Sequence, residues 1–456
     1  MHQRYTPKLC GMSTLLQTTA ARCALLAAGC LTLAGPALAQ ARPPAAAPAS
    51  TVVARLDATV LQAREAWGRS DAARLASAHD TLTAANHPLA PWTDYWQLNR
   101  RLREAQQPEL EAFYARWPAS YVEDRLRNDW LLELGKRRDW AGVRLEFPRF
   151  RMNDDREVTC YWLLARHEAG ELVGEAARNE ALAAWSAQRD GDDACPLLGQ
   201  TLARAGVFKA EDLWQATRLA IEFNRLGTAR ATASLVSPAA GQAVAAMLRD
   251  PGRHLNQPAS VATQREVALL ALMRLAASDP DAAARALEDR WQAALNPTQA
   301  ATAWAHVARR AAQRLQPEAA AWAERAWALR GQSERTGHTL LWSDDLLAWH
   351  VRAALRQPAD EAERWPLMAR AISAMSTAEQ RDPAWVYWRA RAVQAMAPAG
   401  ASGDEARSVA TGALQTLARQ TGFYPKLATE DLGLRVALPP SPVPLTAAET
   451  QAARQH

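Results

Sequence analysis

The chain has 456 residues, 49% of them hydrophobic, with 21 glycines and a formal charge of +5. That length suffices for two or three ordinary domains or for one extended array with a continuous core, and abundant alanine with sparse β-branched residues makes the expected class all-α. The positive balance does not mark a nucleic-acid binder: Arg4, Lys8 and Arg22 lie in the first 39 residues, which hold no acid, and only +2 remains beyond them. No basic run is interleaved with aromatics as a single-strand platform requires.

Residues 1–39 read as an export signal, with basic residues first, then the apolar ALLAAGCLTLAGPALA, then Ala37-Leu38-Ala39 as the site for cleavage after Ala39. The apolar run is 16 residues long and is broken by Gly35 and Pro36, short for a permanent span, so a soluble mature protein is expected. Leu26-Ala27-Ala28-Gly29-Cys30 loosely resembles a lipoprotein signal, which makes a lipid anchor at Cys30 the alternative. Cys10, Cys23 and Cys30 fall inside the signal and leave Cys160 and Cys195 in the mature chain. In an oxidising compartment two cysteines suggest one disulfide; two unrelated buried thiols are the other reading.

Residues 40–50 form a Pro/Ala linker without periodicity, and order is expected from Thr51 onward. From there the chain repeats one pattern: an alanine-rich helix, a short turn, another helix. Over 211–227, Leu213, Ala216, Ala220 and Phe223 make an apolar stripe and Gly227 is the expected stop. Over 278–331, Asp279-Pro280 opens a helix with Ala284, Leu287, Trp291 and Ala294 on one face. Asn296-Pro297 opens the next, which passes Trp304 toward Leu315, and Pro317 opens a third that Gly331 closes. Stripes this narrow bury themselves only by stacking on neighbours. With no fixed 34-residue period, the expected architecture is an irregular α-hairpin superhelix, a U-shaped or ring-like α-solenoid, over residues 51–438.

Tests for chemistry give no catalytic, metal or cofactor residues. There is no H-x-x-x-H pair, no CxxC, and none of GxSxG, GxGxxG or GxxxxGK[ST]. His167 and His306 read as surface or core residues. Asp344-Asp345 and, in a turn, Asp192-Asp193 read as solvated acids rather than acid/base pairs, since adjacent side chains on a helix diverge by about 100° and seldom aim at one substrate atom. Among the 18 tryptophans, Trp214, Trp291, Trp304 and Trp322 sit at stripe positions and read as core rather than sugar-stacking faces.

The irregular stretches carry a family likeness. His87-Pro88-Leu89, Tyr95-Trp96-Gln97-Leu98, Trp130 to Leu134, Arg138-Asp139-Trp140, Cys160-Tyr161, Ala194-Cys195 and Asp212-Leu213-Trp214 follow in order. Trp385-Val386-Tyr387-Trp388-Arg389-Ala390-Arg391 then precedes Gly422-Phe423-Tyr424-Pro425, the most specific element. Together these resemble the N-terminal superhelical domain of soluble lytic murein transglycosylases over about residues 80–435. The resemblance implies periplasmic work on peptidoglycan. Such enzymes cleave between N-acetylmuramic acid and N-acetylglucosamine and leave a 1,6-anhydro sugar, with glycan strands as ligands and other cell-wall enzymes as partners. In that family one glutamate acts as acid and then base from a Glu-Ser motif followed by Gly-Leu-Met-Gln. Neither motif occurs here.

The tail 439–456 reads as the start of a truncated linker domain, where Thr446-Ala447-Ala448-Glu449 fits a capping box. The expected product is therefore a glycan-guiding superhelix that lacks the lysozyme-like catalytic domain and is inactive alone. A non-catalytic periplasmic scaffold for a protein or glycan strand is the alternative.

Overall fold

The computed structural model describes residues 49–187, 192–258, 260–335, 341–358, 363–436 and 441–455. The expected signal, Cys30, most of the 40–50 linker and the 438/439 boundary lie outside them. Two compact units are distinguished, residues 1–57 and 58–456. Of the first, only the opening of the Ala49–Gly68 helix is described.

Within the second unit every regular element among the described residues is helical. Helices pack on their successors: Ala210–Glu222 on Leu226–Val236, and that helix on Pro238–Arg249. Likewise Pro297–Gln313 packs on Ala319–Arg335, and Pro383–Met396 on Ala401–Ala418. Buried apolar residues accordingly form successive clusters over 160–216, 214–346, 308–392 and 387–428 rather than one central core. This is the irregular superhelix that narrow stripes require. No helix among the described residues is long and apolar enough to cross a membrane.

Helix starts follow the side chains. Asp279 accepts from the Ala282 amide at 2.9 Å, and Asn296 from that of Gln299 at 2.9 Å. Thr446 and Glu449 close their box, with the Glu449 amide on the Thr446 hydroxyl at 3.2 Å. Each such cap stabilises its helix by about 1 kcal/mol.

Helix stops depart from the glycine positions. Gly227 lies inside the Leu226–Val236 helix, and the turn before it is made by Asn224 at φ 58°. Asparagine tolerates that left-handed conformation and ends the helix three residues early. Phe223 is therefore 42% exposed, and Ile221, 3% exposed, takes the core position. Gly331 does not close its helix, which continues to Arg335 across an Arg330–Glu334 pair at 2.8 Å. Between Leu287 and Trp291 the helix widens to a π turn. The extra residue delays the register by one, so Leu295 is buried in place of Ala294.

Two close approaches fix the N-terminal hairpins. Gly135 lies under the Tyr161 ring, where a Cβ would stand 2.2 Å from Cδ2. Beside that contact, Cys160 and Cys195 are joined by a disulfide with Cα atoms 5.1 Å apart, both fully buried, linking the Arg156–Glu168 and Ala194–Arg204 helices. The same junction holds Asp192, bonded twice by Arg156 at 2.6 Å with its side chain 5% exposed. That acid is an ion-pair partner rather than a solvated residue; Asp193 next to it is exposed.

Closing a loop over a separation of 35 residues stabilises by about 3–4 kcal/mol in the chain-entropy account. The double substitution Cys160→Ser with Cys195→Ser is expected to lose stability of that order, read as a lower urea midpoint under non-reducing conditions.

Candidate functional site

The Pro297–Gln313 helix is buried from Gln299 to Ala312 except at Arg310. Alanines dominate, so five neighbouring segments approach it closely. One stripe of it is polar: Gln299, Thr302, His306 and Arg309 recur at i, i+3, i+7 and i+10. The Ala210–Glu222 helix carries a matching stripe of Glu211, Gln215, Arg218 and Glu222.

The two stripes form a continuous seam. Arg218 donates to Glu266 at 2.9 and 3.1 Å and to Glu211 at 2.9 Å, and Gln299 donates to Glu266 at 2.6 Å. Farther along, Glu222 accepts from the Ser343 hydroxyl and lies 3.3 Å from an Arg309 nitrogen. Arg309 also pairs with Asp345. Gln215 reaches across to the Leu341 carbonyl at 2.7 Å. Bonds between 215 or 222 and 341 or 343 span more than 120 residues, far beyond hairpin neighbours.

Burial governs the titration of this seam. Glu222, 6% exposed, has its carboxyl pushed above the ordinary range by desolvation, which Arg309 and Ser343 oppose. His306 lies 3.8 Å from Glu222, and burial, then Arg309 and Arg310, hold it neutral well below the usual histidine range. His350 meets the Ala305 carbonyl at 3.1 Å, so Nε2 carries its proton, and burial lowers its pKa to about 4. Glu222 and His306, buried to this extent, bind helices together, while Ser343 is half-buried at the end of the seam. The paired acids diverge as their spacing predicts: Asp344 accepts from the amide and hydroxyl of Ser376 at 2.7 Å, while Asp345 turns to Arg309. His167 is half-buried on its helix. Among the described residues no group of three or more metal-ligating side chains comes together.

The Gly422-Phe423-Tyr424-Pro425 motif and the Trp385–Arg391 run meet at one joint. Tyr387 donates to Asp431 at 2.8 Å, Arg391 bonds the same oxygen at 2.5 Å, and burial followed by Asp431 pushes the Tyr387 hydroxyl up to about 12. Trp388 meets Tyr387 edge-on at 5.1 Å, Tyr424 meets Tyr387 at 5.7 Å, and Trp385 donates to Glu379 at 2.9 Å. Gly422, at φ 138°, is the residue before the Phe423–Asp431 helix, while the preceding helix has already ended at Ala418. Pro425 is thus the third helical residue, where its missing N–H has no intrahelical acceptor to lose. Phe423 is 69% exposed. Trp214, Trp291 and Trp304 are buried and Trp322 partly so.

No protein-family model and no curated protein matches the chain. Among solved structures, an inactive mutant of the lytic transglycosylase Slt from Pseudomonas aeruginosa superposes with a TM-score of 0.50 at 21% identity, over 87% of this chain and 61% of that one. Over that shared part the fold is that of a lytic transglycosylase. The 70 kDa soluble lytic transglycosylase from Escherichia coli is also similar, at 20% identity and a TM-score of 0.46, with the same coverage. The chain therefore spans about three fifths of the length of the lytic transglycosylases it matches.

Of the residues that carry the lytic transglycosylase likeness, Tyr95 and Trp96 lie beside Trp92, while Trp140, Cys160, Tyr161, Cys195 and Leu213 share the cluster around the disulfide and Tyr387, Trp388 and Tyr424 meet at the Tyr387–Asp431 joint. The polar seam is absent from the apolar reading of the sequence. Its signal is the second stripe at the same helical spacing, Glu211 to Glu222 opposite Leu213 to Ala220.

A histidine kept neutral contributes stability fully present above its unfolded pKa of 6.5 and lost as pH falls toward its folded value. Each of the two loses up to about 2 kcal/mol between pH 6.5 and 5; Glu222, shifted upward, acts in the opposite sense. Thermal midpoints are expected to fall over that window, and less steeply in His350→Gln, which keeps a donor toward Ala305. At the joint, Asp431→Ala is expected to cost about 1–3 kcal/mol, seen as faster amide exchange across the Phe423–Asp431 helix.

Proposed function

We propose that the protein works on peptidoglycan in the periplasm. Its helical array holds glycan strands destined for cleavage between N-acetylmuramic acid and N-acetylglucosamine. The observation that carries this reading is the fold shared with a lytic transglycosylase over 87% of the chain. Two others support it: the family-like motifs run in one order from His87 to Pro425, and a buried Cys160–Cys195 disulfide suits an oxidising compartment.

The role assigned to these residues is strand holding, not bond cleavage. No Glu-Ser and Gly-Leu-Met-Gln pair stands in the chain to supply the acid and its surroundings. The glutamates that the structure removes from water, Glu146, Glu222 and Glu266, are engaged by Arg127, Arg309 and Arg218.

Mature protein incubated with purified murein sacculi is expected to sediment with them and to release no anhydro-muropeptides by mass spectrometry. Failure to sediment overturns the strand-holding role. Release of anhydro sugars overturns the assignment of cleavage to other residues.

A further inference from the structure

Tyr121 is the first residue of the Tyr121–Arg137 helix, and its side chain is left 59% exposed. Its ring is nonetheless held. Trp92 lies against it at 5.8 Å, Trp92 in turn touches Tyr95 at 5.7 Å and Trp96 at 6.1 Å, and Trp96 stacks on Trp67 at 6.0 Å. Tyr95 is anchored by donating to Asp129 at 2.6 Å. An aromatic column thus rises from buried rings to one exposed face, so Tyr121 gives up little freedom when something lies against it.

Beside that face is a depression of about 410 Å³ lined by Ala119, Ser120, Tyr121, Asp124, Arg151 and Met152. It is built rather than accidental. Asp124, 2% exposed, accepts the backbone amides of Arg151 at 2.9 Å and Met152 at 2.8 Å. Arg151 itself donates to the Ser120 carbonyl at 2.8 Å and pairs with Glu123 at 3.2 Å, with its side chain about half exposed. The rim therefore presents the half-exposed Arg151 guanidinium next to an aromatic face.

The geometry points to a saccharide subsite at Tyr121 that takes one uncharged N-acetylhexosamine ring of a glycan strand. The apolar face of a pyranose matches the tyrosine ring, and the oxygens of its equatorial hydroxyl and acetamido groups accept from the half-exposed Arg151 guanidinium. Because Glu123 and Asp124 offset Arg151, the site favours a neutral sugar over an anionic one. This rests on the peptidoglycan reading above and adds where the strand touches the chain.

The test sediments the protein with murein sacculi and titrates it with chitotetraose, following tryptophan fluorescence. Tyr121→Ala is expected to weaken both interactions about fivefold, Tyr121→Phe to keep most of the affinity, and Phe423→Ala, which removes the exposed ring at the other end of the array, to leave it unchanged. Wild-type binding that Tyr121→Ala does not weaken overturns the subsite while the peptidoglycan reading stands. A loss with Phe423→Ala equal to that with Tyr121→Ala also overturns it. Wild-type protein that fails to bind sacculi overturns both.

Discussion

The structure depends on one buried helix that is not wholly apolar. Pro297–Gln313 is enclosed by five segments, and its alanines let their backbones come near. A helix enclosed on all sides must satisfy every polar group it carries, since an unpartnered group in that interior costs several kcal/mol. Gln299 meets that demand through Glu266, and Arg309 meets it in part through its charge contacts with Glu222 and Asp345; the three acids belong to three other helices. The packing of those helices is therefore constrained by charge and hydrogen-bond geometry as well as by apolar area. Tolerance for misplacement is far smaller than between two alanine faces.

That constraint changes the usual energetics of a stacked array. Hairpins that touch only their neighbours contribute additive, local terms, and such arrays open piecemeal. Bonds from Gln215 and Glu222 to Leu341 and Ser343 tie segments more than 120 residues apart. Opening one hairpin there exposes charges in others, which couples their unfolding. The Cys160–Cys195 bond acts similarly for the preceding hairpins, and Asp431, shared by Tyr387 and Arg391, for the final ones.

A pre-tied array suits the proposed role of holding a long, semi-stiff polymer. Pre-organised surfaces avoid the ordering cost that flexible loops incur on binding. The exposed Tyr121, backed by a column of rings, is such a surface. Its interest lies in the contrast with Trp214, Trp291 and Trp304, whose faces are consumed by the core.

Much of this was legible beforehand. Alanine content, Asp279-Pro280 and Asn296-Pro297 caps and narrow apolar stripes each follow from local propensity or single-helix periodicity, so the all-α class, the helix starts and the need to stack could be read directly. Stops were less legible: Asn224 ends a helix where Gly227 invited the end, and Gly331 is carried through by packing and an Arg330–Glu334 pair. The register after the π turn, which buries Leu295, and the burial of Asp192 depend on neighbours distant in the chain. What the sequence determines by itself is the set of helices and the faces they must hide, because those obey interactions within four residues. Which polar stripe meets which, that Glu222 finds Ser343 and Arg309, and that Tyr121 rather than a core tryptophan is left facing outward are decided only when helices far apart in the chain converge and exclude water between them.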